Sequence, residues 1–161
     1  MGIRRLEQYR KPNQLVVNTT PAFARHWLMP RLGDFHRRHP EVDLWLFTTF
    51  EAPDMTTQTV DLSIRDDLDP QAECSYQELF DDRLYPACHP DVLEQPAAQR
   101  TTLHGEREMD WSRWQVQGGE DVGQRTHGLN FSDPGLLLDA ACEGYGIALV
   151  SELLAARARD K

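Results

Sequence analysis

The run Leu15-Val16-Val17-Asn18-Thr19-Thr20-Pro21, the apolar series Phe23, Trp27, Leu28, Leu32 and Phe35 behind it, and Val42-Asp43-Leu44-Trp45-Leu46-Phe47 after that decide the fold. Residues 15–18 are short, β-branched and apolar, as in a buried strand of a parallel sheet, and Thr19-Thr20-Pro21 ends them. The apolar residues behind recur at spacings of three to five while Arg25, Arg31, Arg37 and Arg38 take other positions, which predicts an amphipathic helix over 22–38. Pro30 removes a hydrogen-bond donor and clashes with the preceding turn, so a kink or a loosely formed first turn is expected there. His39-Pro40 stops the helix. Residues 42–47 are apolar on both parities and are expected to be covered on two sides. Strand, helix, strand in this order implies right-handed crossovers and a parallel sheet with helices on its faces, an α/β architecture.

Working outward, residues 55–60 offer a short helix and Asp61-Leu62-Ser63-Ile64 a third strand. From Glu73 to His89, Tyr76, Leu79, Phe80, Leu84 and Tyr85 stand among acidic residues and read as extended segments that leave the first sheet. Residues 91–128 are rich in Gln, Gly and charge, with Trp111 and Trp114 as apolar anchors, and no element is assigned to them. Leu129-Asn130-Phe131 reads as a strand, Ser132 as the N-cap of a helix through Leu136, Leu137, Ala140 and Ala141, and Pro134 suits its first turn. Gly144 and Gly146 close that helix. Residues 147–150 form another buried strand, and Ser151 caps a last helix over 152–159.

With 161 residues, 40% hydrophobic and 27% charged, the chain has enough apolar surface to order itself, which excludes disorder, collagen and coiled coil. No apolar run is long enough to span a bilayer, and MGIRRLEQYRKPNQ lacks the apolar core of a signal peptide, so the cytoplasm is the expected location and no membrane partner is expected. The three cysteines, Cys74, Cys88 and Cys142, include no close pair and are expected to be reduced and mostly buried. A net charge of −9 argues against a chain that holds DNA by itself. The charge is lopsided: residues 1–40 carry eight Lys/Arg against two Asp/Glu, a net +6, and the remainder nine against 24, a net −15. A basic face can therefore meet an acidic one in the same molecule or in a partner.

Few motifs carry chemistry. His26, His36, His39, His89, His104 and His127 form no H-E-x-x-H or Cys/His clip, and neither a metal nor a cofactor is expected. Cys88-His89 is a weak candidate for a nucleophile and base, because such pairs are built across a fold and adjacent residues rarely point together. Asp66, Asp67 and Asp69 read as a solvated turn rather than a cation site. Two strand-to-helix junctions stand out, Thr19-Thr20 and Ser132-Asp133. Open α/β sheets bind ligands beyond the carboxyl ends of their strands, where helix N-termini offer free N–H groups. Plain N-capping is the simpler reading of these residues on their own.

T-T-P-A-F-A-R-H-W-L-M-P-R-L-G-D-F-H-R-R-H-P-E-V-D-L at 19–44, V-D-L-S-I-R at 60–65, L-Y-P-A-C-H-P at 84–90 and F-S-D-P-G-L-L-L-D-A-A-C-E-G-Y-G-I-A-L-V at 131–150 together resemble one family. They are similar to the effector-binding (substrate-binding) domain of LysR-type transcriptional regulators, nearest the subgroup of glycine-cleavage activators, over about residues 13–155. The resemblance implies a two-lobed fold like type 2 periplasmic binding proteins, its lobes joined by crossing strands. In those terms residues 1–12 resemble the end of a linker, 13–83 the first α/β lobe, 84–150 the second, and 151–161 a C-terminal helix. The return to the first lobe expected after it is missing, as is the winged helix-turn-helix.

What the resemblance implies for function is an effector-sensing regulatory domain, not an enzyme, with no catalytic residue. It would bind a small molecule, of which amino acids or carboxylates are the sensible candidates, between its lobes. Thr19 and Thr20 match the effector turn of the first lobe, Ser132 and Asp133 the opposing turn of the second. Arg65 matches the Arg after the third strand, where an effector carboxylate or a structural Asp can meet it. The resemblance also implies a homodimer or higher homo-oligomer in which the helix at 22–38, through Arg25, Leu28, Arg31, Leu32 and Phe35, packs on a neighbour's second lobe. DNA would be reached only through the separate winged helix-turn-helix. The alternatives are a transport-type solute-binding protein and a small hydrolase using Cys88 or a Ser.

Overall fold

The computed structural model describes residues 12–56, 60–66, 74–106, 110–119 and 128–158. Of the features expected above, the leader apart from Pro12, the aspartates Asp67 and Asp69, His127 and Arg159 lie outside the described residues. The chain divides into two compact units, with the boundary between Leu79 and Phe80.

In the first unit, β1 (Gln14–Thr19) is the middle strand of a parallel sheet, flanked by β2 (Asp43–Thr48) and β3 (Leu62–Ile64). The middle position takes both faces of a strand out of water, and Val16 to Thr19 are all buried. Burying a valine side chain contributes roughly 1.5 kcal/mol, so Val16 and Val17 anchor the sheet. The double coverage expected of 42–47 does not occur. As an outer strand β2 has no fully buried residue, and Trp45 remains 49% exposed. Residues 55–56 form a turn rather than the start of a helix, and 57–59 lie outside the described residues.

The expected helix over 22–38 runs from Pro21 to Arg38 in three consecutive parts, together α1: α-helical Pro21–Phe23, π-helical Ala24–Leu28 and α-helical Met29–Arg38. Pro30 explains the middle part. Its ring crowds the preceding turn and its nitrogen cannot donate, so the chain widens to a π turn in which the Met29 N–H reaches the Ala24 carbonyl. The Arg31 Nη1 then donates to the Trp27 carbonyl at 2.7 Å, with its guanidinium 4.2 Å from the Trp27 ring centre. The helix absorbs its proline through a π turn, in place of the kink or loose first turn expected.

The second unit pairs β4 (Leu84–Ala87) antiparallel with β7 (Ala148–Ser151), and β5 (His104–Gly105) parallel with β6 (Asn130–Phe131). Hydrogen bonds from Leu103 N to the Ile147 carbonyl and from Ile147 N to the Thr101 carbonyl, both 2.8 Å, tie the approach to β5 to the approach to β7. Of the extended segments expected over 73–89, Leu84–Ala87 is strand β4 and 74–83 pairs into no strand, with Tyr76, Leu79 and Phe80 exposed. The unassigned stretch after 90 holds α2 (Pro90–Glu94), a 3-10 turn at Ala97–Gln99, β5 and α3 (Asp110–Val116). Then come α4 (Pro134–Cys142), β7 and α5 (Glu152–Ala155).

Leu103, Leu137, Leu138, Ala140, Ala141, Ala148, Val150 and Ala155 pack as one buried cluster around α4 and β7. Gly144, at φ +79°, ends α4 in the left-handed conformation that favours glycine. A Cβ on Gly146 would lie 2.4 Å from the Thr101 carbonyl, so only glycine lets those backbones meet. The last helix is shorter than 152–159, ending at Ala155, with Ser151 Oγ accepting from Leu154 N as its cap. The cysteines form no disulfide and are not buried: Cys74 and Cys88 are half-buried and Cys142 is exposed.

Candidate functional site

The carboxyl ends of β1, β2 and β3 lie along one edge of the parallel sheet, and each leads into a residue of interest: Thr20, Thr49 and Arg65. Thr20 is extended (φ −74°, ψ 151°), and its hydroxyl accepts from Phe23 N at 3.4 Å, a long cap ahead of Pro21. Thr19 is fully buried and its hydroxyl donates to the Ile64 carbonyl at 2.7 Å, tying β1 to the end of β3. Of the two threonines singled out, Thr20 therefore stands at the surface of the junction and Thr19 beneath it.

Backbone carbonyls are among the partners of Arg65. Its Nη1 donates to the Thr49 carbonyl and to the Glu51 carbonyl, both at 3.1 Å, and its Nη2 donates to the Phe50 carbonyl. The guanidinium thus gathers three successive carbonyls of the turn that follows β2. Its fan of donors suits such a cluster.

Beneath Arg65 lies a network that the sequence alone did not reveal. Asn18 is fully buried; its Nδ2 donates to Thr49 Oγ1 at 2.9 Å and its Oδ1 accepts from Ser63 Oγ at 3.2 Å. Thr49 Oγ1 donates to the Glu51 carbonyl at 2.7 Å and also accepts from Arg65 Nη1 at 3.4 Å. The one available sign was an asparagine inside an apolar strand, where a buried amide must be paired.

In the second unit the comparable edge is formed by β5 and β6. Asp133, rather than the expected Ser132, caps α4: its Oδ1 accepts from Gly135 N at 2.8 Å. Pro134 occupies the first helical position, so the residue directly before it becomes the cap. Ser132 precedes the cap and is exposed. At the root of β5, Thr102 Oγ1 lies 3.2 Å from His104 Nε2, and Trp111 Nε1 donates to the Leu103 carbonyl at 2.9 Å. Each unit therefore carries at least one capped strand-to-helix junction, Thr20 in the first and Asp133 in the second.

On α1, Arg25 and Arg31 are exposed while Leu28, Leu32 and Phe35 are half-buried. None of the residues from Met29 to Arg38 is fully buried. Elsewhere, burial pushes the Cys88 thiol up, with Arg100 opposing, so less reactive thiolate forms at neutral pH. His89 Nδ1 accepts from Asp91 N at 3.3 Å as the cap of α2, which turns that nitrogen away from a role as base for Cys88. Among the described residues, no group of three His, Cys, Asp or Glu can hold a metal ion, and no helix is long and apolar enough to cross a membrane.

The sequence pattern of the LysR substrate binding domain matches residues 10–161. The glycine cleavage system transcriptional activator of Escherichia coli K12 is 29% identical over 160 residues, covering 94% of this chain and 52% of that protein. The transcriptional activator AmpR of Pseudomonas aeruginosa is 32% identical over 161 residues, covering 96% of this chain and 54% of that protein. This chain spans about half the length of the curated relatives it matches. Among solved structures, the effector domain of AmpR from Pseudomonas aeruginosa superposes with a TM-score of 0.73 at 30% identity, over 92% of this chain and 75% of that one. The regulatory domain of CrgA from Neisseria meningitidis gives 0.73 at 20% identity, over 91% and 76%, a likeness of fold alone.

Proposed function

Because the chain belongs to the LysR substrate-binding domain family, with its two-lobed α/β fold like that of periplasmic binding proteins, we propose that it is the effector-sensing part of a transcriptional regulator. The family match over residues 10–161 carries this reading. The candidate effector contacts are Thr20 and the adjoining N–H groups of α1 in the first unit, and Ser132 and Asp133 in the second. Thr19 holds the strand end beneath Thr20, and the charge of Arg65 favours an effector with a carboxylate. Binding biases one arrangement of the protein, and a homodimer interface passes that bias to a separate DNA-binding domain.

The α1 residues Arg25, Leu28, Arg31, Leu32 and Phe35 form that interface. Its support is a helix with no fully buried residue from Met29 onward and a basic face in an otherwise acidic chain. The protein works in the cytoplasm, where such regulators meet DNA. Relatives that are transcriptional regulators favour neither a transport-type solute-binding protein nor a hydrolase. The raised Cys88 thiol and the engagement of His89 in a cap also speak against a hydrolase.

A melting screen of the chain against glycine, acetate and succinate tests the sensor. At ten times Kd the effector stabilises by about 1.4 kcal/mol, a rise in Tm of roughly 4 °C, and Ser132→Ala removes most of it. A folded sample whose Tm is indifferent to all three compounds would sink the reading. Native mass spectrometry reads the dimer: Phe35→Glu is expected to yield monomer, and an unchanged dimer refutes the α1 interface.

A further inference from the structure

Asn18, Thr49 and Arg65 come from three different strand ends, yet they converge on one turn. Thr49 Oγ1 has one proton and two lone pairs. The proton goes to the Glu51 carbonyl at 2.7 Å, and the lone pairs accept from Asn18 Nδ2 at 2.9 Å and Arg65 Nη1 at 3.4 Å. Every hydrogen-bonding capacity of the hydroxyl is used. The same count assigns the Asn18 amide: because the Thr49 proton is committed to Glu51, Asn18 must present its NH2 to Thr49 and its oxygen to Ser63.

The turn at 49–51 is thereby held from two sides. Arg65 binds its carbonyls from the end of β3, and the buried Asn18 holds its hydroxyl from within β1. A further backbone bond from Thr49 N to the Thr19 carbonyl, 3.1 Å, links the turn to the residue before Thr20. Such a network costs much when one member is lost, because the remaining groups stay unpaired away from water. Its place at the carboxyl edge of a parallel sheet is where α/β proteins receive ligands.

We propose that Asn18 and Thr49, together with Arg65, are positioning residues of the effector half-site in the first unit, holding the turn at 49–51 in the one conformation that the effector meets. This rests on the effector-sensing reading above. Asn18 acts through Thr49; Thr49 acts through the carbonyl of Glu51 and through the guanidinium of Arg65, which in turn binds the Phe50 carbonyl. Arg65 restrains the turn through the Thr49, Phe50 and Glu51 carbonyls that it binds.

Thr49→Val keeps the shape of the side chain and deletes the hydroxyl, at a half-buried position where the fold survives; Thr49→Ser restores the hydroxyl. The probe is whichever of glycine, acetate and succinate raises the wild-type Tm most. Thr49→Val is expected to weaken binding of that probe about tenfold while Tm without probe falls by roughly 2–6 °C in a protein that still folds, and Thr49→Ser to bind within about twofold of wild type. Amide exchange is expected to accelerate at Phe50 and Glu51 in Thr49→Val and to stay unchanged in β1. Unaltered exchange in the turn, unaltered affinity, or a Thr49→Ser protein as weak as Thr49→Val overturns the proposal. A wild type that binds none of the three probes overturns the sensor reading and the effector role of this network with it, whereas the exchange measurement still shows whether the network holds the turn.

Discussion

In the first unit the most deeply buried residues are Val16, Asn18 and Thr19, two of them polar; in the second they include Leu103, Ala148, Val92 and Ala141, all apolar. The centre of the first unit is tied by Asn18 and Thr19 to strands on either side, through side-chain hydrogen bonds to Thr49, Ser63 and Ile64. The second unit surrounds Leu103 with α4, β7 and α5. Apolar packing is non-directional and tolerates small shifts, whereas hydrogen bonds demand a particular register. The contrast teaches that the first unit gives up some apolar burial for a firmly held sheet edge, and the second supplies the packed mass around its own junction.

Three substitutions test that contrast, in descending order of effect. Leu103→Ala opens a cavity in the packed cluster and is expected to cost about 4 kcal/mol in urea unfolding followed by tryptophan fluorescence, since Trp111 is bonded to the Leu103 carbonyl. A loss under about 1 kcal/mol would break the contrast, because it would mean that the second unit does not depend on its cluster. Asp133→Ala removes a cap with a 2.8 Å bond and is expected to cost about 1 kcal/mol. Thr20→Ala removes one of 3.4 Å and is expected to cost about 0.5 kcal/mol or less in the same measurement. Equal costs for the two would show that Thr20 is held as firmly as Asp133, leaving it less free to turn to an effector.

How far these features are legible in the sequence depends on how far apart the interacting residues lie. The strand at 15–18, the helix after Pro21, the left-handed Gly144 and the Ser151 cap all follow from residues within one or two turns of each other. The cap of α4 falls one residue later than the hydroxyl of Ser132 suggests, although Pro134 points to Asp133. Pro30 announces a distortion, but whether a helix kinks or widens depends on what can reach the carbonyls it leaves, here Arg31.

Leu103 escapes a reading by pattern because Thr101-Thr102-Leu103 is too short to show any periodicity. Its burial comes from pairing with Ile147, far along the chain. The apolar pattern of 42–47 promises coverage on both faces, but an outer strand receives less than a central one, and Trp45 stays exposed. For Arg65 the sequence offers an effector or an aspartate and gives no hint of the three backbone carbonyls that it binds, because backbone partners leave no mark in a sequence.

The amino-acid order alone determined the family, the strand-helix-strand beginning and the presence of helix starts at 19–20 and 132–133, though not that Asp133 rather than Ser132 is the cap, because proline positions and apolar periodicity are local quantities. Only the tertiary structure decided that Asn18, Thr49, Ser63 and Arg65 share one network and that Leu103 lies at the centre of the second unit. Those contacts join residues separated by 16 to 45 positions, and they exist only once strand register has brought distant side chains to the same edge.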